Sequence, residues 1–265
     1  MSDNNIHVEQ KAAIGSQTTQ IANQNNYYGL TPKEACDLAM QMFYDNFPKL
    51  QEVAREIAEK RVSELMSEIA TKIGEKQLTD MTPLGDPDVQ YVMYEAQKNY
   101  ARFGTQDMLS TISELVAERI QFNHKKICLK VAIDRAIQIV PMLTAEQLDA
   151  LSLLFLATRV KYSTIHNLDE LEEYLDKISL VFEKADFSSM SYLNILGCLE
   201  MYIHHPAKLY AKIYNLQEKD VKSILPEIIE KTYGDYSTSH IGTILAIVNA
   251  ELKLNEKFDP SIWIQ

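Results

Sequence analysis

The chain has 265 residues, 46% of them apolar, enough for one large helical domain or two small ones with an ample core. Lysine and arginine number 26 against 37 acids, a formal charge of −11, which disfavours general binding of phosphate backbones. No apolar run approaches the roughly 18–20 residues of a membrane span, and no basic stretch followed by an apolar one marks a secretory signal.

Residues 6–29 read IHVEQKAAIGSQTTQIANQNNYYG. This leader has too little apolar area to fold alone. Ile6 and Val8 alternate, and Ile14 and Ile21 recur seven residues apart among Gln10, Gln17, Gln20 and Gln24. Thr18, Thr19 and Ile21 favour strand, and stacked amides form ladders between neighbouring strands. Two readings stay open: a solvated tail, or a strand element completed by another surface. In the second, Ile6, Val8, Ile14, Ile21, Tyr27 and Tyr28 are the contact residues.

The rest has the punctuation of an all-α fold, a multi-helix bundle behind this short β or extended segment. Only eight glycines and eight prolines occur, most of them between periodic segments. The expected division is residues 1–29 as leader and oligomerisation segment and 30–265 as helical domain, with a helical hairpin at 31–77 and a bundle at 86–265. Thr31 with Pro32 and Glu34 opens the first helix, where Leu38, Met42 and Phe43 share a face. Phe47-Pro48 is expected to break it, because proline disfavours helical geometry in the residue before it. A second helix over 48–73 carries Leu50, Val53, Ile57, Leu65, Ile69 and Ile73 as an apolar stripe.

Asp86-Pro87 caps the next helix, with Val89, Val92, Met93, Ala96 and Tyr100 inward and Gly104 at its end. Leu129, Ala132, Ile133, Ala136, Ile137 and Val140 keep helical spacing. Thr144 with Gln147 forms a capping box before LDALSLLFLA, apolar nearly all round and so central to a bundle. Asn167 starts a helix to about residue 184. Shorter helices are expected over 190–203, 207–214 and 221–231, the last perturbed by Pro226, and Ser239 caps an apolar helix over 240–254. The tail with Ile262, Trp263 and Ile264 should be docked, since exposing each large side chain costs about 1.5–3 kcal/mol.

Cys36, Cys128 and Cys198 each sit in an apolar helical pattern and read as buried, reduced thiols of a cytosolic protein. No His-Glu-X-X-His, no zinc-spaced cysteine pair, no Gly-rich phosphate loop and no Gly-X-Ser-X-Gly elbow occurs, so no catalytic residue, metal or cofactor is assigned. His204-His205 is expected at a helix end, its charge favoured by the helix C-terminus. Asp169, Glu170, Glu172, Glu173 and Asp176 suit a solvated helix start. Glu114, Glu118 and Glu200 are single acids on apolar helices. Arg102, Arg119, Arg135 and Arg159 could converge on an anion, but neutralising internal acids such as Asp134 and Glu95 suits them better. Tyr91, Tyr94, Tyr100 and Phe103 have the spacing of a core face.

Several runs carry a resemblance: Gln24-Asn25-Asn26-Tyr27-Tyr28-Gly29-Leu30-Thr31, Asn46-Phe47-Pro48-Lys49-Leu50, Asp86-Pro87-Asp88-Val89-Gln90-Tyr91 with Tyr94-Glu95-Ala96-Gln97, Leu143-Thr144 with Gln147-Leu148, Ile241-Gly242 and Ser261-Ile262-Trp263-Ile264. In this order they resemble an uncharacterised family of bacterial cytosolic proteins known by locus tags. The resemblance implies a bacterial origin, a cytosolic location and a mostly helical body, with no catalytic residues to carry over. Similar Asn/Gln-rich leaders precede helical or effector domains in other bacterial proteins, some linked to phage defence, which suggests a defence or stress context.

The leading expectation is a non-enzymatic interaction protein that binds copies of itself, with a second protein as a further partner, and without general nucleic-acid binding or membrane. The alternative, from another class, is an enzyme or small-ligand sensor using acids and arginines between the helices around residues 86–162. A pocket with convergent, perturbed titratable groups would favour the alternative; a solid core and a large apolar contact surface would favour the first.

Overall fold

A computed structural model describes residues 32–123, 127–232 and 234–264. Among them the fold is helical, as the hydrophobic periodicity predicts, with one two-stranded sheet that it does not predict. The leader, with Thr31 and the contact residues Ile6, Val8, Ile14, Ile21, Tyr27 and Tyr28, lies outside the described residues. The chain divides into two compact units, Met1–Ala54 and Arg55–Gln265.

Helix α1 runs Pro32–Glu75 with Pro48 inside it, so the expected break at Phe47-Pro48 is corrected. Proline removes one backbone donor and crowds the preceding turn. Here the residues around it are exposed, so water can satisfy the freed carbonyl. Of the stripe read over 48–73, Leu65 and Ile69 are buried, whereas Val53 and Ile57 are exposed.

In the second unit α2 (Pro87–Phe103) begins as expected: the Asp86 side chain accepts from Asp88 N–H, and Pro87 takes the first helical position. It ends at Gly104, whose φ of 59° a side chain would resist. Val89, Val92, Ala96 and Tyr100 are buried, but Tyr91, Tyr94 and Phe103 are exposed, correcting their reading as core. Three aromatics on positions flanking the inward stripe project to solvent.

Helix α3 (Gln106–Gln121), capped by Thr105, is the apolar helix on which the sequence places Glu114 and Glu118, without marking where it starts or ends. Its interrupting polar residues, Ser113, Glu114, Glu118 and Arg119, hide the period although all are buried. α4 (Ile127–Ile139) and α5 (Ala145–Arg159) follow, with the Thr144–Gln147 capping box formed as predicted. α11 (His240–Leu254), capped by Ser239, packs on α5, α4 and α3, and α3 packs on α2 and α4. These helices are the core. Gly242 lets the start of α11 approach the Cys198 carbonyl; a Cβ there would lie 1.9 Å from that oxygen.

Between α5 and α11 come α6 (Leu168–Val181), α7 (Met190–Ile195), α8 (Pro206–Tyr214), α9 (Glu218–Ile224) and α10 (Glu227–Glu230). The helix expected over 190–203 is corrected. It stops at α7, and β1 (Leu199–His204) pairs antiparallel with β2 (Gly234–Thr238), Leu199 opposite Thr238 and Met201 opposite Tyr236. Gly197, at φ 76°, turns the chain from helix to strand.

The tail docks. Trp263 lies edge-on to Phe155 with ring centroids 5.0 Å apart, its indole N–H donates to the Arg159 carbonyl at 3.1 Å, and Ile264 is fully buried. The cysteines follow the prediction only in part. All three are thiols, but only Cys198 is buried, burial pushing its thiol up to about 12, while Cys36 and Cys128 are exposed. Cys128 sits off the buried stripe of α4, and Cys36 sits on a stretch of α1 where every described residue is exposed.

Candidate functional site

Two features depart from ordinary burial. The first lies on the first unit's part of α1. Leu38, Met40, Met42, Phe43, Tyr44 and Phe47 are all exposed, Met42 at 57% and Phe43 at 47%. At about 100° per residue, Met42, Phe43, Phe47, Met40 and Tyr44 cover an arc of roughly 200° of the helix. Asp37 and Asp45 fall on the remaining side. Phe43 and Phe47 stack on each other, one turn apart, with centroids at 5.1 Å. Unclustered exposed leucines need no explanation, but an apolar arc of this width on one helix is unusual for a surface that faces only water.

The second feature is a cavity of about 940 Å³ in the second unit, bounded by the last turn of α1, by α3, by α11 and by the segment after it. Glu114 and Glu118, one turn apart on α3, and Glu251 on α11 are all buried. One oxygen from each lies within 4.8 Å of the others. Lys76, just beyond α1, places its ammonium 2.6 Å from Glu114 Oε1 and 2.5 Å from Glu118 Oε1. Glu251 Oε2 accepts from Lys257 at 3.0 Å, and its Oε1 accepts from the Phe258 N–H at 2.7 Å. Lys72 is 4.0 Å from Glu114 Oε2 and pairs with Glu75 at 2.9 Å. Glu118 Oε2, buried, has no hydrogen-bond partner among the described residues.

The electrostatics follow. Burial, opposed by Lys76 and reinforced by Glu251 and Glu114, pushes the Glu118 carboxyl up to about 7. Burial disfavours the charged Lys76, but Glu118 and Glu114 outweigh it and hold its ammonium above the usual lysine range. Glu114 and Glu118 were visible in the sequence as acids on an apolar helix. Glu251 and Lys76 were not singled out. The signal that could have found Glu251 is an acid inside the nearly unbroken apolar run of α11.

The four arginines do not converge. Arg119, fully buried, donates from Nε to Asp134 at 2.8 Å, from Nη1 to Asn123 at 2.6 Å and from Nη2 to Asp88 at 2.5 Å, the neutralising role expected for it. Arg159 pairs with Glu200 and donates to Ser237 and the Thr238 carbonyl, tying α5 to the sheet. Arg102 and Arg135 are exposed. Glu95 pairs with Lys98 and not with an arginine.

Asp169, Glu172, Glu173 and Asp176 are exposed on α6, the solvated face expected of them. The histidine pair is corrected. His204 ends β1, buried, its ring Nδ1 3.3 Å from the Tyr202 carbonyl, and His205 is the N-cap of α8, so the pair closes a strand and opens a helix instead of ending one. Burial holds His204 below its usual pKa.

The chain belongs to a family of uncharacterised type, whose model matches residues 29–233. No curated protein and no solved structure matches it. Among the described residues no helix is long and apolar enough to cross a membrane.

Proposed function

We propose that the chain is a non-enzymatic interaction protein that associates with copies of itself through its N-terminal region. The observation that carries this reading is the exposed apolar arc of α1, with Met42, Phe43 and Phe47 in water. A helix face of this kind gains free energy when covered, about 25 cal/mol for each Å² of apolar surface removed from water. The leader adjoins it in sequence, and Ile6, Val8, Ile14, Ile21, Tyr27 and Tyr28 extend the same contact in this reading. The formal charge of −11 speaks against nucleic acid as the partner. The working location is a bacterial cytosol, where Cys36 and Cys128 remain thiols, in a defence or stress setting.

The test is sedimentation velocity on the full chain at micromolar concentration, with circular dichroism as the check on folding. The expected result is an oligomer that weakens when residues 1–26 are removed and again when Phe43→Glu and Phe47→Glu are combined, because charges then enter a dry contact. A full chain that sediments as a monomer overturns the reading.

A further inference from the structure

The cavity bounded by Glu114, Glu118 and Glu251 belongs to a part of the chain that self-association does not use. Three buried carboxylates converge there although each alone would be costly to ionise. Lys76 bridges two of them, and Lys257 pairs with the third and lies 3.6 Å from Glu114 Oε1, yet Glu118 Oε2 is left buried without a donor among the described residues. A buried acceptor lacking a partner forfeits its hydration with no return, which marks a place prepared for a ligand.

The ligand chemistry follows from the donors. Oxygen alone is offered, with no thiolate or imidazole, which selects a hard cation over zinc or copper. Three carboxylate oxygens within 4.8 Å of one another can converge on one ion, and three carboxylates suit calcium, which takes oxygen ligands in flexible geometry, better than magnesium, which is usually held by one or two carboxylates and keeps its waters. The cavity, at about 940 Å³, leaves room for water to complete the six to eight ligands calcium takes.

We propose that Glu114, Glu118 and Glu251 form a binding site for a calcium-sized divalent cation, with Lys76 as the internal counter-ion that the metal displaces. Lys76 is placed for that exchange: it follows the last turn of α1, and its ammonium sits between the Glu114 and Glu118 oxygens that a metal would take. Its ammonium holds the carboxylates together without the metal and leaves when a doubly charged ion takes over the same oxygens. Lys72 stays with Glu75, while Lys257, 3.0 Å from Glu251 and 3.6 Å from Glu114, keeps the first contact and yields the second to the metal.

The experiment is titration calorimetry of the full chain with calcium chloride, run in parallel with magnesium chloride and paired with thermal melts. Calcium is expected to release or absorb heat with a stoichiometry of one site and to raise the melting temperature, as any ligand of the native state must. Magnesium is expected to do so at least tenfold more weakly. Glu118→Gln and Glu251→Gln, each nearly isosteric, should each abolish the heat while the circular dichroism stays native. Lys76→Gln should tighten calcium binding tenfold or more, a gain that binding at surface acids would not give. Absence of heat and of a melting shift at millimolar calcium in both wild type and Lys76→Gln overturns the proposal. So does binding that survives Glu118→Gln and Glu251→Gln, which puts the ion elsewhere.

Discussion

The first unit's stretch of α1 and the central stretch of α3 depart from ordinary burial in opposite senses. Over residues 38–47 of α1, two phenylalanines, two methionines, a leucine and a tyrosine face water. Over residues 111–120 of α3, every residue is buried, among them Glu114, Glu118 and Arg119. Apolar side chains in solvent cost little in folding and matter for association. Charges in a core cost much in folding and persist only where each has a partner or a task. The two segments therefore call for different experiments: the first should tolerate substitution without unfolding, and the second should not.

The largest effect is expected at Arg119. Its guanidinium is fully buried and reaches Asp134, Asn123 and Asp88 at once. Arg119→Ala strands Asp134 beside an empty space and should cost about 3–5 kcal/mol, the scale of breaking a buried pair on one side. Arg119→Lys should recover only part, since one ammonium cannot serve three acceptors on the guanidinium fork. Urea denaturation measures both. A loss no larger than that of an exposed residue would show that the charges of α3 are bystanders.

Next in size is Ile264, fully buried at the chain's docked tail beside Trp263. Ile264→Ala should cost about 2–5 kcal/mol, as other large-to-small core changes do. Tryptophan fluorescence should shift to the red in the variant if the indole loses its seat on Phe155. An unchanged spectrum and midpoint would mean that the tail adds no stability.

How much of this was legible beforehand differs between the two segments for physical reasons. Caps were readable because they are local. Asp86-Pro87, Thr144 with Gln147, Asn167 and Ser239 all start helices where the sequence places them. The inward face of α2 and the apolar α5 were readable from period alone. The bounds of α3 were not, because Glu114, Glu118 and Arg119 interrupt its apolar period and most of their partners, Lys76, Asp134 and Asp88, are brought to them only across the fold. Those partners stand 15 to 42 residues away, beyond any pattern window. The strand at Leu199–His204 was misread for a related reason: Met201 and Ile203 look like core residues, and only pairing with β2 makes them an exposed strand. Pro48 misled in the other direction, since a proline is a strong local signal that an exposed helix can absorb.

A smaller, pH-dependent effect is expected at His204. Burial holds its folded pKa below the ordinary 6.5. The native state then binds fewer protons than the unfolded chain as pH falls below 6.5, so stability is present in full above that value and is lost as pH drops through the folded pKa. His204→Asn should flatten this slope. The check is the urea midpoint of both proteins at about pH 7.5 and about pH 5.5, either side of the reference value. Equal slopes in the two would assign the acid sensitivity to other groups.

The smallest effect is expected on the outer face of α1, and it is the one that separates the two segments most sharply. Phe43 and Phe47 are exposed at 47% and 41% and stand outside the buried core, so replacing each by serine removes far less than a core substitution does. Each substitution should change the unfolding free energy by no more than about 0.5 kcal/mol, the range of surface positions. Measured at dilution, where association contributes nothing, the urea midpoint should stay where it was. The same pair, measured at higher concentration, should lose whatever stabilisation rises with protein concentration in the wild type, because mass action links the oligomer to the fold. A midpoint that falls at dilution by as much as Arg119→Ala would mean that these phenylalanines hold the chain's own fold together, and the contrast with α3 would collapse.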